Sequence, residues 1–235
     1  MSTPSFPPLL AGHAVQAGED PFEVAIEQAT KGCDAGLIVH DLGATQLRAA
    51  FVFAPEVPLS KAAAMMPVCS IGFQNALGAL APPEVGLHFD WAGGLRVNGG
   101  LCGRMRMAAS TTDPQDVPDW LVVGFELSLW PGSEESGLTP DQTALYSEGC
   151  AEVDALNLLE AWARHSLVWI NRWEDEGTAA VHREWTGLAH GVGTQIVQNG
   201  VSGSFTGIDE DFGLLLKTDT RTRLFPLTTL LEARP

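Results

Sequence analysis

Asp90-Trp91-Ala92-Gly93-Gly94-Leu95-Arg96-Val97-Asn98-Gly99-Gly100-Leu101-Cys102-Gly103-Arg104-Met105-Arg106-Met107 is the stretch whose reading decides the fold. An apolar run from Val85 to Phe89 leads into it, and the chain turns at Gly93-Gly94 and again at Asn98-Gly99. Asn-Gly between apolar segments predicts a tight hairpin, because both residues tolerate positive φ. From Leu101 to Met107 the residues alternate. Leu101, Gly103, Met105 and Met107 are expected on one face, and Cys102, Arg104 and Arg106 on the other. A further strand, Trp120 to Leu129, follows a polar loop at 109–119. Together these segments predict the centre of an antiparallel sheet with one face available for a site.

Upstream, residues 1–19 are rich in Pro and Gly and are expected to run along the surface. Asp20-Pro21-Phe22-Glu23 is a helix start: Asp20 caps, Pro21 suits the first helical position and Glu23 can close a capping box. Phe22, Ala25, Ile26 and Ala29 share one face, and Lys31-Gly32 ends the helix. Asp34 to His40 and Leu47 to Phe53 read as strands joined by Asp41–Gln46. A helix is expected from Ser60 to about Leu80, with Pro67 either kinking it or marking a later start.

Downstream, residues 130–148 have no period and read as a long excursion. Asp154 to about Glu176 is the longest helix, with Leu159, Trp162, Ile170 and Trp173 on its core side. A second helix, Thr178 to about His190, stops at Gly191. From Thr194 the period changes to two. Asn199-Gly200 marks another hairpin, and Ser204 to Ile208, Leu214 to Lys217 and Thr222 to Phe225 read as short strands. The expected domains are residues 1–190, α+β with a mixed or antiparallel sheet packed with helices, and residues 191–235, a small SH3-like β-barrel.

Length and charge narrow the function classes. At 235 residues the chain accommodates one larger domain and a small appendage, and 45% hydrophobic content supports a sizeable core. No apolar run approaches the roughly 18 residues of a membrane span, and the N-terminus lacks the basic and apolar regions of a signal peptide. A cytoplasmic location and no membrane partner are therefore expected. The formal net charge of −16 opposes nucleic acid as a partner. Cys33, Cys69, Cys102 and Cys150 are far apart, form no C-x-x-C, and are expected to be free thiols rather than metal ligands.

The opening stretch resembles the segment W-P-N-D-x-x-x-x-G-x-K-x-x-G-I-L of biotin–protein ligases, in the biotin/lipoate protein ligase group. Trp91 matches the Trp, and Leu95, Val97, Gly99 and Leu101-Cys102-Gly103 fall in the strand–turn–strand that follows. Trp120 to Leu129 resembles the family's V-V-I-G-x-G-I-N strand, and Asp209 to Leu216 resembles D-x-x-G-x-L-x-L of its small C-terminal domain. The resemblance implies a class II synthetase-like fold. It also implies activation of biotin or lipoate with ATP and Mg²⁺, and transfer of the acyl group to a lysine of a carrier domain.

The residues that carry that chemistry in the family are not matched. Aligned from Trp91, the Asn-Asp pair falls on Gly93-Gly94 and the lysine on Leu101. The family's long G-R-G-R-R-G-x-x-W loop is replaced by Asp41–Gln46, which contains no arginine. Glu126 and Ser128 stand where the family has Gly and Asn, and Asp20 stands at the family's helix start near the ligand. Arg104 and Arg106 are the candidate substitutes for the lost charge, since a guanidinium fork suits carboxylate or phosphate. Trp91, Gly93, Gly94, Gly103, Arg104, His40 and His88 are the candidate ligand-binding residues, with His40–Asp41 and His88–Asp90 as candidate acid–base pairs. Three readings stay open: a ligase with an unusual site, a non-catalytic relative that binds biotin, lipoate or a carrier domain, and a structural or interaction protein on the same scaffold.

Overall fold

A computed structural model describes residues 3–131 and 141–232; residues 132–140 of the expected excursion lie outside the described residues. The strands are β1 (Ala11–Ala14), β2 (Leu37–Leu42), β3 (Gln46–Phe53), β4 (Leu87–Phe89), β5 (Gly94–Val97), β6 (Gly100–Ala109) and β7 (Leu121–Ser128). They form one sheet in the order β1-β2-β3-β7-β6-β5-β4. Only the β1–β2 pairing is parallel, so the sheet is mixed, as the α+β expectation required. β8 (Gln195–Gln198), β9 (Val201–Ile208), β10 (Leu214–Lys217) and β11 (Thr222–Phe225) form a separate four-stranded antiparallel sheet.

Helices cover both faces of the larger sheet. α1 (Pro21–Thr30) lays Phe22, Ala25, Ile26 and Ala29 on Val39, Ala50, Val52 and Val122. Its start is the predicted one: Asp20 accepts a hydrogen bond from the Phe22 N–H at 3.0 Å, and Pro21 opens the helix. On the other face lie α3 (Met65–Leu80), α4 (Ala155–Glu176) and α5 (Thr178–Leu188). There α3 and α4 meet at Gly72, where a Cβ would overlap Ser166. The aromatic centre is Phe125 against Phe73 and Trp162, edge-on at 4.9 and 4.8 Å between centroids. Because β3 is covered on both sides, its run Ala49 to Val52 is apolar throughout rather than alternating.

Pro67 resolves as a restart. A short helix α2 (Leu59–Ala62) ends, and α3 begins at Met65, which puts Pro67 in a first turn where its missing N–H breaks no intrahelical bond. The run Leu59–Leu80 is long and apolar enough to cross a membrane by composition, but 72% of its apolar window is buried inside the protein.

Two sequence expectations are corrected. β2 runs on through Asp41 to Leu42, so the connection to β3 is a turn of residues 43–45 rather than the whole of Asp41–Gln46. In β6 the register against β5 shifts between Leu95 and Arg96, a bulge that leaves Cys102 without a partner residue there. Cys102 therefore joins Met105 and Met107 in the core instead of sharing a face with Arg104 and Arg106. The two predicted Asn-Gly turns form, with positive φ at Asn98, Gly99, Asn199 and Gly200.

The small sheet is fastened to the large domain. The Trp91 indole N–H donates to the Phe212 carbonyl at 2.7 Å, and Phe212, with φ +64°, is buried in the shared core. That turn is held by Asp209, whose carboxylate accepts from the N–H groups of Asp211 (3.0 Å) and Gly213 (2.7 Å). Lys61 pairs with Asp211 across the same junction.

Candidate functional site

Strand register places a row of opposed residues across one sheet face: Asp41 on β2, Arg48 on β3, Glu126 on β7, Arg104 on β6 and Gly94 on β5. Neighbours alternate in charge, the arrangement that cross-strand pairs favour. Arg48 contacts Asp41 at 2.6 Å, and Arg104 makes a two-pronged pair with Glu126 at 3.0 and 3.1 Å. The hydrogen bond to Glu126 raises the Arg104 pKa above its ordinary value, against the opposing effect of burial. Gly94, Leu101, Gly103, Arg104, Glu126 and Ser128 line a cavity of about 330 Å³, with Gln46, Asp90 and Gln142 at its sides. Positions that the resemblance picked out one by one, namely Gly94, Leu101, Glu126 and Ser128, thus converge on one wall.

The wall is closed at one end by Asp141 and Thr143. The Leu101 N–H donates to the Asp141 carbonyl at 2.8 Å, and the Leu101 carbonyl accepts from the Thr143 N–H at 2.9 Å. Cys102 offers no nucleophile: burial, the largest cause, pushes its thiol up to about 12.

Arg106 lies one step along the same face and is nearly enclosed, with 8% of its side chain exposed. Its Nε and one terminal nitrogen grip both oxygens of Glu232 at 2.7 and 2.9 Å. The other terminal nitrogen donates to Asp20 at 2.6 Å and to Glu126 at 3.0 Å. Glu23 stands at 3.4 Å, and the guanidinium lies 4.1 Å over the Phe22 ring. Burial works against its charge, but the hydrogen bonds it donates to Glu232 and Asp20 prevail and raise its pKa. Arg106 is thus committed to this chain's own carboxylates, and its position at the start of α1 gives it no lining role in the cavity.

Of the remaining candidates Gly103 lines the same cavity, and Trp91, Gly93, His40 and His88 do not. Trp91 is 3% exposed and spends its N–H on the small domain. Gly93 has φ +97°, and a Cβ there would crowd the Met105 carbonyl and Met66, so packing and backbone explain it. At Gly103 a Cβ would overlap the Glu126 carbonyl, so glycine is what lets β6 and β7 approach. His40 is 4% exposed, beneath Phe6 at 6.2 Å, with an unpartnered Nδ1, and its pKa is lowered, chiefly by burial and then by His13. His88 is exposed on β4 opposite Arg96. Asp90 pairs not with His88 but with Arg96, at 2.7 Å, and with Nδ1 of His190, at 3.0 Å. His190 was not among the sequence candidates. It lies 100 residues from Asp90, and no local pattern signals the pairing.

The family model described as the biotin/lipoate A/B protein ligase family matches residues 6–187, and a domain of unknown function, DUF4444, matches residues 192–233. A biotin protein ligase-like protein of unknown function from Silicibacter sp. TM1040 is 60% identical, with a TM-score of 0.94 over 98% of this chain and 100% of that one. Biotin protein ligase from Aquifex aeolicus in complex with biotin and ATP is 13% identical, with a TM-score of 0.68 over 92% and 94% of the two chains. Biotin protein ligase from Leishmania major in complex with biotinyl-5-AMP is 12% identical, with a TM-score of 0.58 over 93% and 99%. At such identities the last two likenesses are likenesses of fold. Comparison with curated proteins finds no match.

Proposed function

The chain belongs to the biotin/lipoate A/B protein ligase family, and from that premise we propose that it binds a biotin- or lipoyl-type acyl group without activating it with ATP. The observation that carries this reading is the charge of the cavity. Among the described residues that line it, Arg104 is the one cation, and it is ion-paired with Glu126, while Asp90 adds a second carboxylate. Adenylate formation gathers negative charge at a phosphate and needs preorganised positive charge there. The residues present do not fit ATP. A neutral acyl group, already joined as an amide to the lysine of a carrier domain, is compatible with such a wall. The partner in this reading is a biotinylated or lipoylated carrier domain, met in the cytoplasm.

The test is calorimetric titration with biotin, lipoate, octanoate and a biotinylated or lipoylated carrier domain, with and without ATP and Mg²⁺, beside a pyrophosphate-release assay. Carrier-linked acyl groups are expected to bind with the same affinity whether or not ATP is present, and biotin-dependent pyrophosphate release is expected to stay at background. Robust release by the wild-type protein would overturn the reading. Its abolition by Arg104→Ala would then assign the missing charge to Arg104.

A further inference from the structure

We propose that Asp90 is the specificity-determining residue of the candidate cavity, accepting a hydrogen bond from an N–H donor on the ligand head, an ammonium or a ureido group. This rests on the reading of that cavity as the ligand site. Asp90 follows β4, and one of its oxygens, Oδ1, takes both external contacts: Nε of Arg96 at 2.7 Å and Nδ1 of His190 at 3.0 Å. The two donors come from β5 and from the link between α5 and β8, so the carboxylate is oriented from two sides. Its other oxygen, Oδ2, has no hydrogen-bond partner among the described residues and points at Gly94, where a Cβ would overlap it. The backbone of Gly94 is not in the left-handed region, so φ does not demand a glycine there. What the absent side chain does is leave room for Oδ2 at the cavity wall.

Anchoring of the domain junction uses Oδ1 and leaves Oδ2, on a side chain 30% exposed, open to the cavity. A carboxylate oxygen fixed in advance is a strong acceptor, since hydrogen bonds to an ionised group are shorter and stronger than neutral ones. Leu101 supplies apolar surface beside it for a ligand tail. With Arg104 already neutralised by Glu126, Asp90 leaves the wall negative, and the net charge of −16 draws cations and donors rather than anions.

The experiment uses the full chain and follows the backbone amide signals of Gly94, Leu101 and Ser128 by NMR. The probes are imidazolidin-2-one for the ureido head, n-butylammonium for the ammonium head, and 1,3-dimethylimidazolidin-2-one as the same ring without N–H. At least one donor probe is expected to give saturable shifts, and the dimethyl compound to bind at least tenfold more weakly than imidazolidin-2-one if the ureido arm is the one that binds. Gly94→Ala, whose methyl would displace Oδ2, is expected to weaken the donor probe at least tenfold. Which donor saturates identifies the source. If neither donor shifts these amides, if imidazolidin-2-one binds and the dimethyl ring matches it, or if Gly94→Ala leaves donor binding unchanged, the assignment fails. Loss of carrier binding with donor binding intact would instead overturn the proposed function alone.

Discussion

Four carboxylates, those of Asp20, Glu23, Glu126 and Glu232, surround one guanidinium at Arg106. The sequence offers Arg106 as a candidate substitute for the lost charge and does not identify its partners, which lie 20 to 126 residues away. Removing one partner of a buried pair costs about 3–5 kcal/mol, chiefly because the other is left uncompensated. Here Asp20, Glu126 and Glu232 are about one-third exposed and regain water, so Arg106→Met is expected to cost about 2 kcal/mol. Urea unfolding of the variant measures this; an unchanged midpoint would show the cluster to be incidental. His40 gives a pH-dependent counterpart. Its folded pKa is lowered by burial, so below the ordinary histidine value of about 6.5 the unfolded chain takes up the proton first. The stability it contributes is present above that value and declines as pH falls through it. His40→Phe, beside Phe6, is expected to flatten the loss of urea stability between pH 7.5 and 5.5, and a slope equal to that of the wild type would refute it.

β6 shows what an element's sequence can and cannot reveal. The strand runs on to Ala109, beyond the alternating Leu101 to Met107, but its turn and its antiparallel pairing follow from Asn98-Gly99 and from alternation, and these were legible. The bulge at Cys102 was not, because one extra residue inverts facing without changing composition. The same limit explains the site. Gly94 on β5 and Gly103 and Arg104 on β6 could be placed together from alignment and alternation along one hairpin, while Asp90 acquires its role from His190 and from the space at Gly94, which are tertiary facts. Asn98, Asn199 and the Asp20 cap were readable because their physics is local. Gly103 tests the strand itself: a Cβ would meet the Glu126 carbonyl, a backbone atom that cannot yield without breaking the β6–β7 ladder. Gly103→Ala is therefore expected to cost at least the roughly 1–3 kcal/mol of overpacking and to broaden the NMR signals of Glu126 and Leu127; a variant as stable as wild type would mean the strands can part freely.

On the scale of the whole molecule, the small sheet is a fixed part of the larger domain. Phe212 sits in the shared core, Trp91 bonds to its carbonyl, Lys61 reaches Asp211, and Glu232, beyond the last strand, returns to Arg106 and to the Met107 carbonyl. Trp91, a ligand-binding candidate in the sequence, commits its indole N–H to this junction. Two bodies joined through one core are expected to unfold together rather than in turn. Tryptophan fluorescence and far-UV circular dichroism should then report a single coincident urea transition. Phe212→Ala removes a fully buried ring, a change that costs about 3–5 kcal/mol, partly offset by relief of the positive φ only if glycine is placed there instead. The alanine variant is expected to lower the midpoint of that one transition. A variant in which the small sheet melts first, leaving the Trp signal of the larger domain at its wild-type midpoint, would show that the junction is a hinge and that the Asp90–His190 contact across it is free to open.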